Sequence, residues 1–164
     1  MTGCQVMIAA LESTKQTLEM LIADFSDTDL LVRPVPGANH AAWQIGNVIV
    51  GDPFLVNAEL PNVVFPELPA GFAELHGGNG AKIDSDPGFL TKAGYLKLLT
   101  EVRAATIAAV GKLTDADLDR PSSEKMRWAG PTLAHVLLFV ANHTIQHAGQ
   151  FTVIRRKLGK PVLF

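Results

Sequence analysis

Apolar residues recur every three or four positions along four stretches of the chain, which is the pattern of helices that bury one face. The first stretch covers residues 5–25, and its apolar positions are Met7, Leu11, Leu18, Leu21 and Phe25, with Thr14 in the step between them. The third covers residues 89–113, and its positions are Tyr95, Leu98, Val102, Ala109 and Leu113. Both stretches predict amphipathic helices.

The second stretch interrupts its apolar stripe with one polar residue. It follows Pro36-Gly37 and contains, at steps of four, three and four, Trp43, Asn47, Val50 and Phe54. We expect Gly51-Asp52-Pro53 to kink or restart this helix, because proline lacks a backbone donor and Asp52 is a good N-cap.

The fourth stretch extends from about Pro131 to Leu158, with Gly159 as its C-terminal cap. Its stripe consists of Val136, Val140, His143, His147, Phe151, Ile154 and Leu158. Two histidines therefore lie on the face that this helix would bury. The basic residues 155–157 suit the negative end of the helix dipole, and we prefer that role to a site for an anionic substrate.

Residues 61–88 connect the second and third stretches and are rich in proline and glycine. A structureless connection of this length is uncommon in a compact domain and is usually a lid, a binding loop or disorder. The segment is too apolar for a free linker, since it contains Val63, Val64, Phe65, Leu68, Phe72, Leu75 and Ile83. We interpret it as a packed cover over one end of the helices.

Four amphipathic stretches without alternating strands predict an all-α fold, a four-helix bundle with a long crossover loop between helices 2 and 3. The length of 164 residues is that of one compact domain, so residues 1–164 are expected to form a single domain. With 48% hydrophobic residues, the chain can fill a core.

Charge and composition reduce the number of possible partners and metal ligands. Lys and Arg number 14 against 16 Asp and Glu, so the net charge of −2 argues against nucleic acid as a partner. No apolar run approaches the roughly 20 residues of a membrane span, and residues 1–10 lack a signal-peptide pattern, so we predict no membrane association and a cytoplasmic location. One cysteine excludes an internal disulfide and a cysteine-rich zinc site. Histidine, carboxylate and amide groups are then the candidate metal ligands.

His143 and His147 are four residues apart, a separation that lets two imidazoles on one helix face converge on one ion. Two buried imidazoles would resist double protonation, so a bound metal explains the pair economically. The alternative is a pair of histidines that form hydrogen bonds with neighbouring helices.

Asn47 is the polar residue that another helix could add to such a site. Its carbonyl oxygen can coordinate a metal, although it is a weaker donor than imidazole to borderline metals. The alternative is an asparagine that bridges two helices by hydrogen bonds. Asn142, Gln146 and Gln150 flank the histidine pair and could orient the ligands or simply line a polar edge.

Two other kinds of metal site are excluded by the same residues. Thr144 occupies the position where zinc proteases carry their glutamate, and the Glu-x-x-His motif of di-iron bundles does not occur. His135 is rotated away from the pair and is expected at the surface. The pattern places neither His40 nor His76, and either could approach the site.

Two segments carry a family resemblance. Residues 39–47 read Asn-His-Ala-Ala-Trp-Gln-Ile-Gly-Asn and precede an apolar helix. Residues 141–150 read Ala-Asn-His-Thr-Ile-Gln-His-Ala-Gly-Gln and are followed at 158–161 by Leu-Gly-Lys-Pro. Together they resemble the DinB/YfiT-like family of metalloenzymes, and the order of helices with a long central crossover agrees.

The resemblance implies a four-helix bundle that binds a divalent metal, zinc or nickel, through one histidine on the second helix and two on the fourth. The fourth-helix pair corresponds to His143 and His147. The second-helix ligand follows a Trp-x-x-Gly motif, and the match at residues 43–46 places it at Asn47, where this chain departs from the family pattern.

Characterised relatives are thiol-dependent transferases and isomerases that use low-molecular-weight thiols such as mycothiol or bacillithiol. The resemblance thus implies a small-molecule substrate, a thiol among the candidates, and a homodimer, since relatives often pair. One hypothesis is a metal-dependent enzyme of the thiol transferase or hydrolase type with Asn47, His143 and His147 as ligands. The other is a non-catalytic, dimeric binding module with a degenerate metal site.

Overall fold

The computed structural model describes residues 1–163, and within that range the regular structure is helical. The α-helices are α1 (Gly3–Ile22), α2 (Ala41–Glu59), α3 (Phe72–Leu75), α4 (Lys92–Val110), α5 (Asp115–Leu118) and α6 (Leu133–Lys157). Short 3-10 turns cover Asp29–Leu31, Gly80–Lys82 and Glu124–Met126. No strand forms in residues 1–163, where a single isolated bridge joins Pro121 and Thr132. The predicted all-α class is confirmed.

The long helices begin and end close to the predicted positions because their caps are local. Thr2 and Thr91 accept hydrogen bonds from backbone N–H groups in the first turns of α1 and α4. Gly159 follows α6 with a φ of +68°, a conformation that suits glycine at a helix end.

Of the kink or restart predicted at residues 51–53, the restart was wrong, because α2 is continuous through Pro53; a kink there stays a prediction. The Asp52 side chain does not cap a helix. It is buried and pairs with Arg103 of α4 through two contacts, Oδ2 to Nε at 2.9 Å and Oδ1 to Nη2 at 3.1 Å. The charge of this guanidinium holds the carboxylate inside the protein.

The four long helices contact one another in a closed circuit, α1 with α4 and α6, and α2 with α4 and α6. The buried apolar residues form two clusters, one near Leu18, Ile45 and Phe151 and the other near Leu11 and Val136. On each long helix, polar residues lie between the part that belongs to one cluster and the part that belongs to the other, and together they form a polar layer.

Arg103 is the centre of this polar layer and is fully buried. Besides Asp52, it donates to the carbonyl of Leu11 at 3.0 Å and to Thr144 Oγ1 at 2.7 Å. Thr106 Oγ1 donates to Asp52 Oδ2 at 3.1 Å. One guanidinium therefore joins residues from α1, α2, α4 and α6.

Residues 61–88 include α3 and a 3-10 turn, and hydrogen bonds join them to the first half of α2. Trp43 Nε1 donates to the Gly77 carbonyl at 3.0 Å, and Asn47 Nδ2 donates to the His76 carbonyl at 2.8 Å. The His76 ring is buried against Gly46, where an added Cβ would lie 1.8 Å from the ring. This close approach requires glycine.

Arg155 departs from the solvated role expected for the basic end of α6. It is 3% exposed, donates to the Leu21 carbonyl at 2.8 Å and forms an ion pair with Asp24. It therefore ties the end of α6 to the end of α1. Among the described residues, none of the helices combines the length and apolar character that a membrane span requires.

Candidate functional site

The structure brings the three predicted site residues together between α2 and α6. His143 Nε2 and His147 Nε2 are 3.1 Å apart, and His143 Nε2 is 3.2 Å from Asn47 Oδ1. Both histidines are half-buried. Three polar atoms from two helices are therefore neighbours, with His143 Nε2 in contact with the other two.

Asn47 has two roles in this arrangement. Its Nδ2 donates to the His76 carbonyl at 2.8 Å, and this bond turns Oδ1 toward His143. The helix-bridging hydrogen bonds considered from the sequence are present, and they leave the amide oxygen facing the histidine pair. Whether that oxygen binds a metal stays a prediction.

Gln44 is the site residue that the sequence pattern missed. Its Nε2 donates to the Asn39 carbonyl at 2.8 Å, so its Oε1 faces His147 Nδ1 at 3.2 Å and accepts that proton. His147 Nε2 then carries the lone pair, which faces His143 Nε2 at 3.1 Å. The signal was present in the sequence, because Gln44 lies three residues before Asn47 on the same side of α2.

The flanking amides proposed from the sequence do not take this role. Asn142, Gln146 and Gln150 are all exposed on α6. The neighbouring helix supplies the orienting amide instead. These three amides lie on the outer side of α6, away from the face that carries the histidine pair.

His143 is held differently from His147. With Nδ1–H of His147 donated to Gln44, the proton of His143 belongs on Nε2, where Asn47 Oδ1 and His147 Nε2 are both acceptors. His143 Nδ1 is buried and, within residues 1–163, has no hydrogen-bond partner. It lies against Gly51, where an added Cβ would be 2.9 Å away.

Both imidazoles are neutral near neutral pH. Burial lowers the pKa of His147 to about 4, and repulsion from His143 adds to the effect. Burial also lowers the pKa of His143, with a contribution from the positive charge of Arg103. The neutral imidazole is the form that binds metals.

The other histidines do not join the pair. His135 is exposed, as expected, and its Nδ1 lies 2.9 Å from Thr132 Oγ1. His40 is buried and caps α2 by accepting from Trp43 N. The buried His76 ring bonds the Phe72 carbonyl and the Tyr95 hydroxyl, so only its backbone carbonyl reaches Asn47.

The donor set of this site is therefore two imidazoles and an amide. In the part of the chain that the structure describes, no group of three or more His, Cys, Asp or Glu side chains is placed to hold a metal ion. An ion held here by three protein ligands must accept an amide oxygen among them.

The fold and the site together define a class of protein: an all-helical protein that carries a histidine pair and two oriented amides between two long helices. The family model described as the DinB superfamily matches residues 10–151, and the chain belongs to that superfamily. The matched range includes α2 and the histidine pair of α6. No curated protein gives a significant match to the chain.

Proposed function

We propose that this DinB-superfamily protein binds a divalent transition metal through Asn47, His143 and His147 and acts as a metal-dependent enzyme of the thiol transferase or hydrolase type. The observation that carries the proposal is the proximity of Asn47 Oδ1 and His147 Nε2 to His143 Nε2, at 3.2 and 3.1 Å. The enzymatic part rests on the family resemblance.

The residues present fit a metal ion. Zinc binds imidazole nitrogen at about 2.0–2.1 Å, so donor atoms roughly 3 Å apart can share one ion. His147 is already oriented for this purpose, since its Nδ1 proton is accepted by Gln44 and its Nε2 lone pair faces the site. Metal-binding histidines commonly donate their second N–H in this way.

Zinc or nickel bound here would act as a Lewis acid and lower the pKa of a bound water or thiol, which supplies a nucleophile at neutral pH. The protein's own contribution is orientation. Gln44 fixes the His147 ring, and the His76 carbonyl fixes the amide of Asn47. A small-molecule thiol as co-substrate is part of the proposal.

The test is metal uptake by protein purified without a histidine tag. We expect one zinc or nickel ion per chain by calorimetric titration and elemental analysis, and loss of that ion in His143→Ala and His147→Ala. His135→Ala is the matched control, because it removes an exposed histidine of the same helix. Failure of the unmodified protein to bind either ion would refute the proposal.

One observation favours the second hypothesis, a non-catalytic binding module with a degenerate site. Metal binding through His143 Nε2 moves its proton to Nδ1, which is buried and has no partner among residues 1–163. In the described part of the metal-free network, Nδ1 carries only an unpartnered lone pair, and Nε2–H is donated toward Asn47 Oδ1 and His147 Nε2. Metal binding exchanges these hydrogen bonds for a buried N–H without an acceptor there, which costs at most about 1–3 kcal/mol and weakens metal binding by up to roughly 150-fold.

Asn47→His separates the two hypotheses. A large gain in metal affinity means that the natural site is degenerate, because a third imidazole supplies the donor it lacks. Unchanged or lower affinity means that Asn47 already serves as a ligand. Measuring the sedimentation of both proteins tests whether the module pairs, as the second hypothesis states.

We also propose that the four long helices form one DinB-type four-helix-bundle domain, with residues 61–88 as the crossover between α2 and α4. The closed circuit of helix contacts and the layer around Arg103 support this arrangement. Hydrogen exchange should then show a single cooperative core that includes all four helices.

A further inference from the structure

A cavity of about 290 Å³ lies beside the candidate site, between α2 and α6. Asn47 and His143 form part of its wall. Apolar and aromatic side chains supply most of the remainder, including Val50, Phe54, Trp128 and Phe139. Among the lining residues, Asn47 and His143 are the two with polar side chains apart from the Trp128 indole.

The cavity is lined without a full charge. No Asp, Glu, Lys or Arg side chain is part of its described wall. Lys125 is close by, with Nζ 5.1 Å from the centre of the Phe54 ring, but it does not line the cavity. An ionised ligand group inside would lose water without gaining a charged partner, which is costly.

Aromatic rings lead from the surface to the histidine pair. Trp128 is 61% exposed and meets the Phe139 ring edge to face, with centroids 4.9 Å apart. Phe139 in turn is stacked with His143 at 6.2 Å, and His143 contacts His147. A concave space lined by aromatic and apolar side chains with a few polar groups is typical of small-molecule sites.

We propose that this cavity binds a neutral, flat aromatic ligand, with its ring between Trp128, Phe139 and Phe54 and a polar group directed to Asn47 and His143. The inference rests on the proposed function, because it takes the candidate metal site as the reactive end of the cavity. The volume is just below the range of about 300–1,000 Å³ for common ligand pockets. It suits one or two fused rings.

The probe pair is 1-naphthalenemethanol and 1-naphthoate, which share a ring system and differ in charge. Calorimetric titrations of metal-free and zinc-treated protein should show binding of the alcohol with a negative heat-capacity change. To the metal-free protein the carboxylate should bind at least about tenfold more weakly, because its charge then has no partner in the cavity. Equal or tighter binding of the carboxylate to the metal-free protein overturns the proposal.

Side-chain variants locate the binding. Trp128→Ala and Phe139→Ala should each raise the Kd of the alcohol about tenfold or more, since each removes an aromatic wall. Leu138→Ala is the control, because Leu138 is 45% exposed on α6 and does not line the cavity. Thermal melts of all variants establish that they are folded.

Each result has a defined meaning. No binding of the alcohol, or an unchanged Kd in the folded Trp128→Ala variant, refutes the aromatic site. Sedimentation that shows a dimer which Trp128→Ala dissociates would also refute it, because the same rings would then be a protein interface. Binding of the alcohol without any metal uptake contradicts the proposed metal function and leaves the aromatic cavity standing.

Discussion

The contact between Gly46 and His76 allows a stringent test of how residues 61–88 support the site. A Cβ added at Gly46 would lie 1.8 Å from His76 Cδ2, and real atoms cannot approach so closely. Gly46→Ala must therefore displace the His76 ring. Displacement breaks its bonds to the Phe72 carbonyl at 2.8 Å and the Tyr95 hydroxyl at 2.7 Å.

The expected cost follows from these contacts. Two hydrogen bonds are worth about 1 kcal/mol each, and forcing extra volume into a packed site costs typically about 1–3 kcal/mol. Alanine in place of glycine returns about 1 kcal/mol through its higher helix propensity. The free energy of unfolding should then fall by roughly 2–4 kcal/mol, which lowers Tm by about 4–16 °C for a chain of this size.

Urea denaturation followed by circular dichroism measures this change, and Gly149→Ala is the matched control. Gly149 is also within a long helix, but an added Cβ there meets nothing within 4 Å. That variant should be neutral or more stable by up to about 1 kcal/mol. Should both variants fall within about 0.5 kcal/mol of each other, the close packing of His76 on α2 would be disproved.

Two further changes test the polar layer and the histidine pair. Asp52→Asn should lower the free energy of unfolding by about 3–5 kcal/mol, because it leaves the Arg103 charge buried and unpaired. The control Lys97→Met, on the exposed face of α4, should lower it by less than about 0.5 kcal/mol. Similar losses for the two variants in a urea titration would contradict this account. In the metal-free protein, His147 has a pKa of about 4 against an ordinary value of 6.5, so the unfolded chain takes up the proton first. The contribution of neutral His147 to the free energy of unfolding is therefore complete above pH 6.5 and is lost toward pH 4, by up to roughly 3 kcal/mol. His147→Gln should flatten this pH dependence of the urea midpoint, whereas the control His135→Gln should leave it unchanged. An unchanged pH dependence in His147→Gln would show that His147 is not buried as a neutral group.

Most of the helical fold could be predicted from periodicity. Apolar positions such as Leu11, Val136 and Phe151 are buried where the stripes place them, because a helix has one face to bury. The predicted restart at Asp52 failed because it rested on local chemistry alone. Its charge is satisfied by Arg103, 51 residues away along the chain, and no local pattern reports such a partner.

The candidate site likewise contains residues that local sequence pattern could predict and residues that only the packing of the helices brings together. His143 and His147 could be paired from the sequence because a helix fixes the distance between residues four apart. Their meeting with Asn47 required the packing of α6 on α2, which the sequence implied only through resemblance. Gln44 was missed because its role depends on a bond to the Asn39 carbonyl that turns its oxygen inward.

The nitrogen and the oxygen of the Asn47 amide have different partners. Its nitrogen donates to the His76 carbonyl in the segment 61–88, and its oxygen faces His143. A histidine there could keep both functions only by donating from one ring nitrogen and presenting the lone pair of the other. If Asn47→His retains the stability of the natural protein and gains metal affinity, position 47 accepts either residue, and the choice between them sets how tightly the metal is held. If it instead loses stability, the amide is required to hold residues 72–80 on α2, and attachment of that segment outweighs ligand strength at this position.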